Sequence, residues 1–534
     1  MTFVSVVLVV VLSTLSTSDK LIMGDSTEIY FEHFLEESGW GLYSKFIIGL
    51  TCFCNFAQGF TLVALPMALA LSSCQSSGIT DKIVLRIFTS FYIGRSFGGL
   101  CTNCLADRYG RKRYLTYSLM VVFLSTFTSA FAYNPYVNIG SAFFLGMGIE
   151  NNTTVLRLLL IESLPLKKRG SYFTFCTAFW SLGYLTTIGG TLTFKPPPLL
   201  SSLKGRIDSK LAPWRIMFAV CGGLNLFIAC ACALLEESPR YFLSLGKNYL
   251  AYLVLKQLYA INNSKFADTF KTKEDDIKNV IRPYEFAYVE PEQYWDVFQV
   301  LCWRFYRAVR MAFSRRLLTT TLALIAIKTP IMVVGVFQLH VALSKQLAPA
   351  GEPDHQLKGL DFSYPVVYPG LYYPDLGTNG SLCADTKANG HFLTYVTVLG
   401  LNVILGFVAT AVMVDRLGRK IPIFVGLLMA SSASIAMAYA GNFTVKIICA
   451  CFVLMSISSV ASMEALVSVE SYPTVIRGTM CGVTNFFGLL LAVVFINHIA
   501  IDHKAFNLIS GIVFFGSAVF SCFLKELKGR PMIE

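Results

Sequence analysis

The chain has 534 residues, 54% of them hydrophobic and only 14% charged, with a mean hydropathy of +0.59. Its apolar runs are too long for soluble core helices, so the composition excludes an ordinary soluble domain and defines an all-α integral membrane protein that crosses the bilayer many times. The net charge of +12 is assigned to the loops that orient such helices, and no nucleic-acid partner is expected.

The opening run, Met1 to Leu15, is apolar but has neither a basic start nor a clear cleavage site, so it is not read as a signal peptide. Residues 1–42, which include the acidic stretch Glu28 to Glu37, are expected to form a cytoplasmic N-terminal segment. A window of about 20 apolar residues then predicts helices near 43–69, 82–105, 115–133, 137–160, 171–191 and 214–235, an N-terminal half over 43–235. A basic, polar stretch over 236–316 reads as a cytoplasmic linker with short helices. Six further helices are predicted near 317–341, 390–414, 421–440, 444–468, 479–500 and 505–524. They make a second half over 317–524, with an outside loop at 342–389 and a cytoplasmic tail at 525–534. Of the Asn-x-Ser/Thr sequences, only Asn379 falls well inside an outside loop, and it is the expected glycosylation site.

The two halves repeat. Asp107-Arg108-Tyr109-Gly110-Arg111-Lys112 returns as Asp415-Arg416-Leu417-Gly418-Arg419-Lys420 (415 − 107 = 308), and Glu162-Ser163-Leu164-Pro165 with Arg169-Gly170 returns as Glu470-Ser471-Tyr472-Pro473 with Arg477-Gly478 (470 − 162 = 308). Within each half the two signatures stand 55 positions apart (162 − 107 and 470 − 415), room for two crossings. Such a shared register marks an internal duplication. Six helices is an even number, so both halves enter the membrane in the same direction, as parallel repeats that enclose a path near the midplane. The basic loops place both signatures in the cytoplasm, although Lys195, Lys204, Arg206 and Lys210 fall in an outside loop.

Away from the first turns of the predicted helices few ionisable side chains occur, and those singled out are Arg95, Glu150, Arg157, Lys328 and Glu464. Each is costly in lipid and is expected to face a cavity or a partner. Glu150 and Arg157, two turns apart, share a face, and Glu150 either lines the cavity or pairs with Arg95 or Arg157. Lys328 either binds an anion or pairs with Glu464. Asp107 and Asp415 are expected to sit at the start of the helix that follows each loop, where free amides favour a carboxylate. No nucleophile, His-x-x-x-His pair, zinc-spaced cysteines or phosphate loop occurs, so no catalytic residue, cofactor or metal is expected and the chain is not read as an enzyme.

The doubled loops, together with Glu237-Ser238-Pro239-Arg240-Tyr241, resemble the major facilitator superfamily in its sugar-porter and organic-ion-transporter branch. Trp214-Arg215, Glu237 to Leu245 with Gly246-Lys247, and Val254-Leu255-Lys256-Gln257-Leu258-Tyr259-Ala260-Ile261-Asn262 resemble the synaptic vesicle glycoprotein 2 family and its related vesicle proteins. The resemblance implies twelve transmembrane helices in two six-helix repeats, residing in the plasma or a vesicle membrane. It implies a monomeric unit that moves a small organic solute, an organic ion or sugar-like, by alternating access. The alternative is a transporter-like vesicle protein that acts in binding or trafficking. It also implies a cytoplasmic latch of Asp107, Arg108, Gly110, Arg111, Glu162, Arg169, Asp415, Arg416, Gly418, Arg419, Glu470 and Arg477. Trp180 matches the family, whereas Gln58 and Thr61 stand where the vesicle glycoproteins have an acidic pair; all three join the charged residues as cavity candidates. Asn103 and Ala411 replace the glycines that head the loop motifs, and closer packing there is expected to be relaxed.

Overall fold

In hydrocarbon each backbone N–H and C=O must be satisfied within its own segment, so the apolar runs have little choice but to be helices. The computed structural model describes residues 25–73, 81–132, 134–193, 213–272, 294–315, 317–346, 390–498 and 503–528. A short helix, α1 (Asp25–Glu37), precedes the first half, whose spans are α2 (Leu42–Ser73), α3 (Asp81–Phe97), α5 (Arg111–Phe131), α6 (Pro135–Ser163), α7 (Leu166–Thr193) and α8 (Pro213–Cys232). After α3 the chain makes a wide turn, Gly98–Thr102, of the π type that often marks functional positions, and continues into α4 (Asn103–Tyr109). The linker contributes α9 (Pro239–Ser244), α10 (Asn248–Asn263) and α11 (Tyr294–Ala312). The second half holds α12 (Leu318–Gln346), α13 (Gly390–Leu417), α14 (Lys420–Tyr439), α15 (Phe443–Ser471), α16 (Arg477–His498) and α17 (His503–Ser521). The predicted Asn379, most of the loop at 342–389 and residues 1–24 lie outside the described residues.

Among the described residues, nine of these helices are long and apolar enough to cross a membrane by themselves. The spans that fall short are α3, α6 and α7. Two of them carry three of the charged candidates, Arg95 on α3 and Glu150 and Arg157 on α6, while Lys328 and Glu464 lie on the qualifying α12 and α15. The chain is an integral multi-pass membrane protein.

Packing repeats as the sequence does. In the first half α2 lies against α7 and α8, α3 against α6, and α5 against α6 and α8. In the second half α12 lies against α16 and α17, α13 against α15, and α14 against α15 and α17. The halves meet along two equivalent seams, α3 on α16 and α7 on α13. At the first seam the backbones almost touch, because a Cβ on Gly482 would stand 1.7 Å from the Gly99 carbonyl oxygen and 2.9 Å from Asn103 Nδ2. The relaxed packing expected from Asn103 is therefore corrected. Asn103 is fully buried and bonds back to Gly99 O at 3.1 Å, and the close approach is supplied by Gly99 and Gly482.

At the end that bears the repeated loops, Phe31, Phe34 and Leu35 of α1 form a small separate core with Leu243, Ala251, Leu255 and Phe270 of the linker. Asn262 and Asn263 of α10 donate to the carbonyls of Ser38 and Gly39, which fastens α1 to the linker beside the first half.

Candidate functional site: buried charges between the halves

Each loop signature turns on a glycine that alone tolerates its backbone, Gly110 at φ 106° and Gly418 at φ 87°. The turns point the first amides of the following helices at carboxylates from elsewhere. Glu237 accepts from the amide of Arg111 at 2.8 Å and that of Lys112 at 3.1 Å, and Glu526 accepts from the amides of Arg419 at 2.9 Å and Lys420 at 3.1 Å. The expectation that Asp107 and Asp415 serve their own following helices is corrected. Asp107 reaches across to the other half and accepts from Gly478 N at 3.2 Å, Thr479 N at 2.8 Å and Thr479 Oγ1 at 2.9 Å. Asp415 makes the equivalent crossing to the amide of Ser171 at 3.1 Å and to the Ser171 hydroxyl (171 + 308 = 479). Gly170 and Gly478 admit these carboxylates, since a Cβ would come within 2.5 Å of Asp415 Oδ1 and 2.8 Å of Asp107 Oδ1.

Behind the aspartates lie two crossed ion-pair chains. Arg111 is 3.4 Å from Asp107 and 3.4 Å from Glu162, and Glu162 is 2.9 Å from Arg477 of the opposite half. Likewise Arg419 is 3.7 Å from Asp415 and 3.3 Å from Glu470, and Glu470 is 3.1 Å from Arg169 of the first half. Arg111, Glu162, Arg169 and Arg477 have no solvent exposure. Charges so buried persist only when paired and hydrogen-bonded. Burial lifts the Asp107 carboxyl above its ordinary range, against the pull of Arg111 and the donors of Thr479 and Gly478. Burial also raises Glu237 against its amide donors, while at the less buried Glu526 the amides of Arg419, Lys420 and Lys528 overcome the burial cost and hold the carboxyl low. Arg108 and Arg416 contribute differently: the carbonyl of Arg108 accepts from Tyr241 Oη at 2.6 Å, and that of Arg416 from Lys528 Nζ at 2.7 Å.

Sequence reasoning did not find Glu32 of α1. Its Oε1 accepts from Arg169 Nη1 at 3.2 Å and from Arg240 Nη2 at 2.7 Å, so Arg169 is shared between α1 and Glu470 of the far half. Glu32 has no counterpart in the repeat, and neither does the pairing of Glu526 with Glu237 obey its offset (526 − 237 = 289). The only sequence signal was the acidic stretch before the first span.

Toward the middle of the bundle, Arg95 binds Glu150 through Nη2 at 2.8 Å and Nε at 3.1 Å, and the other Glu150 oxygen accepts from Asn485 of α16. Lys328 pairs with Glu464 at 3.1 Å. Both pairs are shielded, and removing one partner of such a pair strands the other charge at a cost of about 3–5 kcal/mol, while replacing both by apolar groups is often neutral. Lys328→Met alone is therefore expected to lower the melting temperature of the purified protein sharply and Lys328→Met/Glu464→Met to restore most of it; equal losses in both would refute a stabilising pair.

The remaining candidates are dispersed. Gln58 accepts from Thr153 Oγ1 at 3.2 Å and lies against Cys54. Thr61 accepts from Asn225 of α8 at 3.3 Å, on the side away from the other half. Trp180 stacks on Tyr184 with ring centroids 6.2 Å apart. Among the described residues Arg157 makes none of the ion pairs and its buried Nε has no hydrogen-bond partner; its guanidinium stands 6.0 Å from the Phe173 ring centre.

Two six-helix halves related by a repeat, joined along two seams and bridged by charges at one end, define a membrane protein of the major facilitator fold. The chain belongs to the Sugar (and other) transporter family, whose model matches residues 7–326. It is 29% identical to synaptic vesicle glycoprotein 2A of Rattus norvegicus over 241 residues, 43% of this chain and 31% of that protein. It is also 28% identical over 195 residues to the putative metabolite transport protein YncC of Bacillus subtilis, covering 36% of this chain and 39% of the relative. The matched part thus spans about a third of each of these relatives. Among solved structures, the proton:xylose symporter XylE bound to 6-bromo-6-deoxy-D-glucose superposes with a TM-score of 0.63 at 16% identity, covering 92% of this chain and 98% of XylE. The human organic anion transporter MFSD10 superposes with a TM-score of 0.53 at 13% identity, covering 90% and 98%.

Proposed function

We propose that the protein carries a small organic solute across its membrane by alternating access, as a monomeric unit and without a catalytic step, with the repeated loops in the cytoplasm as a latch. The observation that carries this reading is the reciprocal crossing of Asp107 and Asp415, each from one half onto the amides of the other. Charges that only set topology need no such geometry, whereas a joint that must open and close does. The likeness to a xylose symporter and to a putative metabolite transport protein supports the same class of activity.

The test uses single cysteines beside Glu150, in a background in which the exposed Cys230, Cys302 and Cys522 are replaced. In Asp107→Asn and Asp415→Asn, labelling from the cytoplasmic side is expected to rise and labelling from outside to fall. Asp107→Asn should have the larger effect, because the Asp107 side chain is only 6% exposed against 30% for Asp415. Cysteines at Tyr109 and Leu417 should be labelled only after permeabilisation. Wild-type labelling in both aspartate variants would remove the latch and favour a role in binding or trafficking.

A further inference from the structure

Two stripes of side chains with helical spacing meet on the first half. On α2, Lys45, Gly49, Cys52, Phe53 and Phe56 recur every three or four residues and share one face, as Tyr172, Phe175, Phe179 and Leu182 do on α7. Between the stripes runs an open cleft of about 750 Å³. Gly49 leaves room for it, since a Cβ there would meet nothing within 4 Å. Phe175 and Leu182 of its wall are exposed, and so is its neighbour Phe227 of α8, whose ring stands 5.6 Å from that of Phe53. Since α8 packs on α2 and α5, the cleft opens sideways toward the bilayer rather than between the halves.

Its length and chemistry suit one lipid. At 1.5 Å per residue the cleft extends about 16 Å from Lys45 to Phe56 and about 15 Å from Tyr172 to Leu182. That is the depth of one leaflet, half of a hydrocarbon core about 30 Å thick. The deep part is walled by phenylalanine rings and Leu182. At the latch end the chemistry changes. Trp40 lies against Tyr172 with ring centroids 4.9 Å apart, and such amphipathic aromatics sit at headgroup level. Lys45 is the one charged residue in the lining; it is exposed and, among the described residues, pairs with no carboxylate. A lysine in the first turn of a span extends its ammonium to the interface. In the orientation proposed above, the surrounding leaflet is the cytoplasmic one, whose acidic lipids attract such a cation. The hydroxyl of a sterol would give Lys45 no charge to meet.

Resting on that orientation, we propose that the cleft is a site for one acidic phospholipid of the cytoplasmic leaflet, with its headgroup on Lys45 and an acyl chain between α2 and α7. Tyr172 directly follows Ser171, which Asp415 grips, so the bound headgroup adjoins the closed latch.

The experiment titrates the purified full chain in detergent with dioleoylphosphatidylserine, dioleoylphosphatidylcholine and cholesterol, and reads thermal stabilisation. Phosphatidylserine should half-saturate at a concentration about fivefold below that of phosphatidylcholine, the factor that one lysine supplies toward acidic lipid. Lys45→Gln should abolish that preference, whereas Arg113→Gln, which removes an exposed cation outside the cleft, should keep it. Gly49→Leu, whose side chain enters open space, should weaken both phospholipids at least tenfold. Equal binding of the two phospholipids by the wild type, a preference kept in Lys45→Gln or lost in Arg113→Gln, or wild-type binding in Gly49→Leu would each overturn the proposal. Stabilisation by cholesterol alone would give the cleft to a sterol and overturn it too. If Gly49→Leu does not fold, Lys45→Gln, a change at an exposed side chain, still decides. Labelling of Tyr109 and Leu417 cysteines in intact cells would put the cleft in the other leaflet and overturn the assignment, whereas unchanged accessibility in the latch variants would defeat the transport reading and leave the lipid site standing.

Discussion

Glu162→Gln is expected to release the latch more completely than any other single exchange of similar shape. Glu162 is fully buried between Arg111 of its own half and Arg477 of the other. Removing its charge leaves both guanidinium groups under-compensated; Arg111 retains Asp107 and the Thr474 carbonyl, and Arg477 retains the Tyr472 carbonyl. Breaking a buried pair costs about 3–5 kcal/mol. The variant escapes that cost by opening the latch, where water solvates both arginines, so the balance between the two states should move by roughly two to three orders of magnitude. Accessibility of positions beside Glu150 from the cytoplasm is the readout. A variant that folds and keeps wild-type accessibility would show that Glu162 serves only stability.

Gly482→Ala is expected to act on the same balance by a steric route. Its new Cβ would stand 1.7 Å from the Gly99 carbonyl oxygen, and the obstacle is backbone, so α3 and α16 must separate. Overpacking of this kind costs about 1–3 kcal/mol. The seam lies close to the latch, between Asp107 on α4 and Thr479 on α16. Separating it should favour the open latch by about ten- to a hundredfold without removing any charge. Gly223→Ala on α8, where a Cβ meets nothing within 4 Å, is the control and should behave as wild type.

These effects were partly legible in the sequence. The offset of 308 residues identified the two aspartates, the two Glu-x6-Arg signatures and the parallel halves, because a duplicated fold keeps equivalent residues in register. The register cannot say which half a side chain reaches into. Asp107 was therefore read onto its own next helix, when the turn at Gly110 gives those amides to Glu237 and the aspartate crosses the seam. Glu32 and Glu526 escaped for a related reason: they belong to segments outside the duplicated unit, so no repeat marked them. Helix periodicity placed Glu150 and Arg157 on one face, yet the partner of Glu150 was settled by helix packing. Gly94 and Gly146 let α3 and α6 approach backbone to backbone, which brings Arg95 to Glu150. Nor does the register say how deep the latch lies: its central residues are buried, and the penalty for breaking them is correspondingly large.

The most direct test of the central claim is the distance between spin labels at Tyr109 and Leu417, one in each half's loop and both exposed on the same end of the molecule. In the wild type a short distance should dominate, and in Glu162→Gln and Asp107→Asn a longer one should take over as the loops part. If the variants fold and the distribution stays at the wild-type distance, the crossed charges do not hold the halves together and the latch account is contradicted.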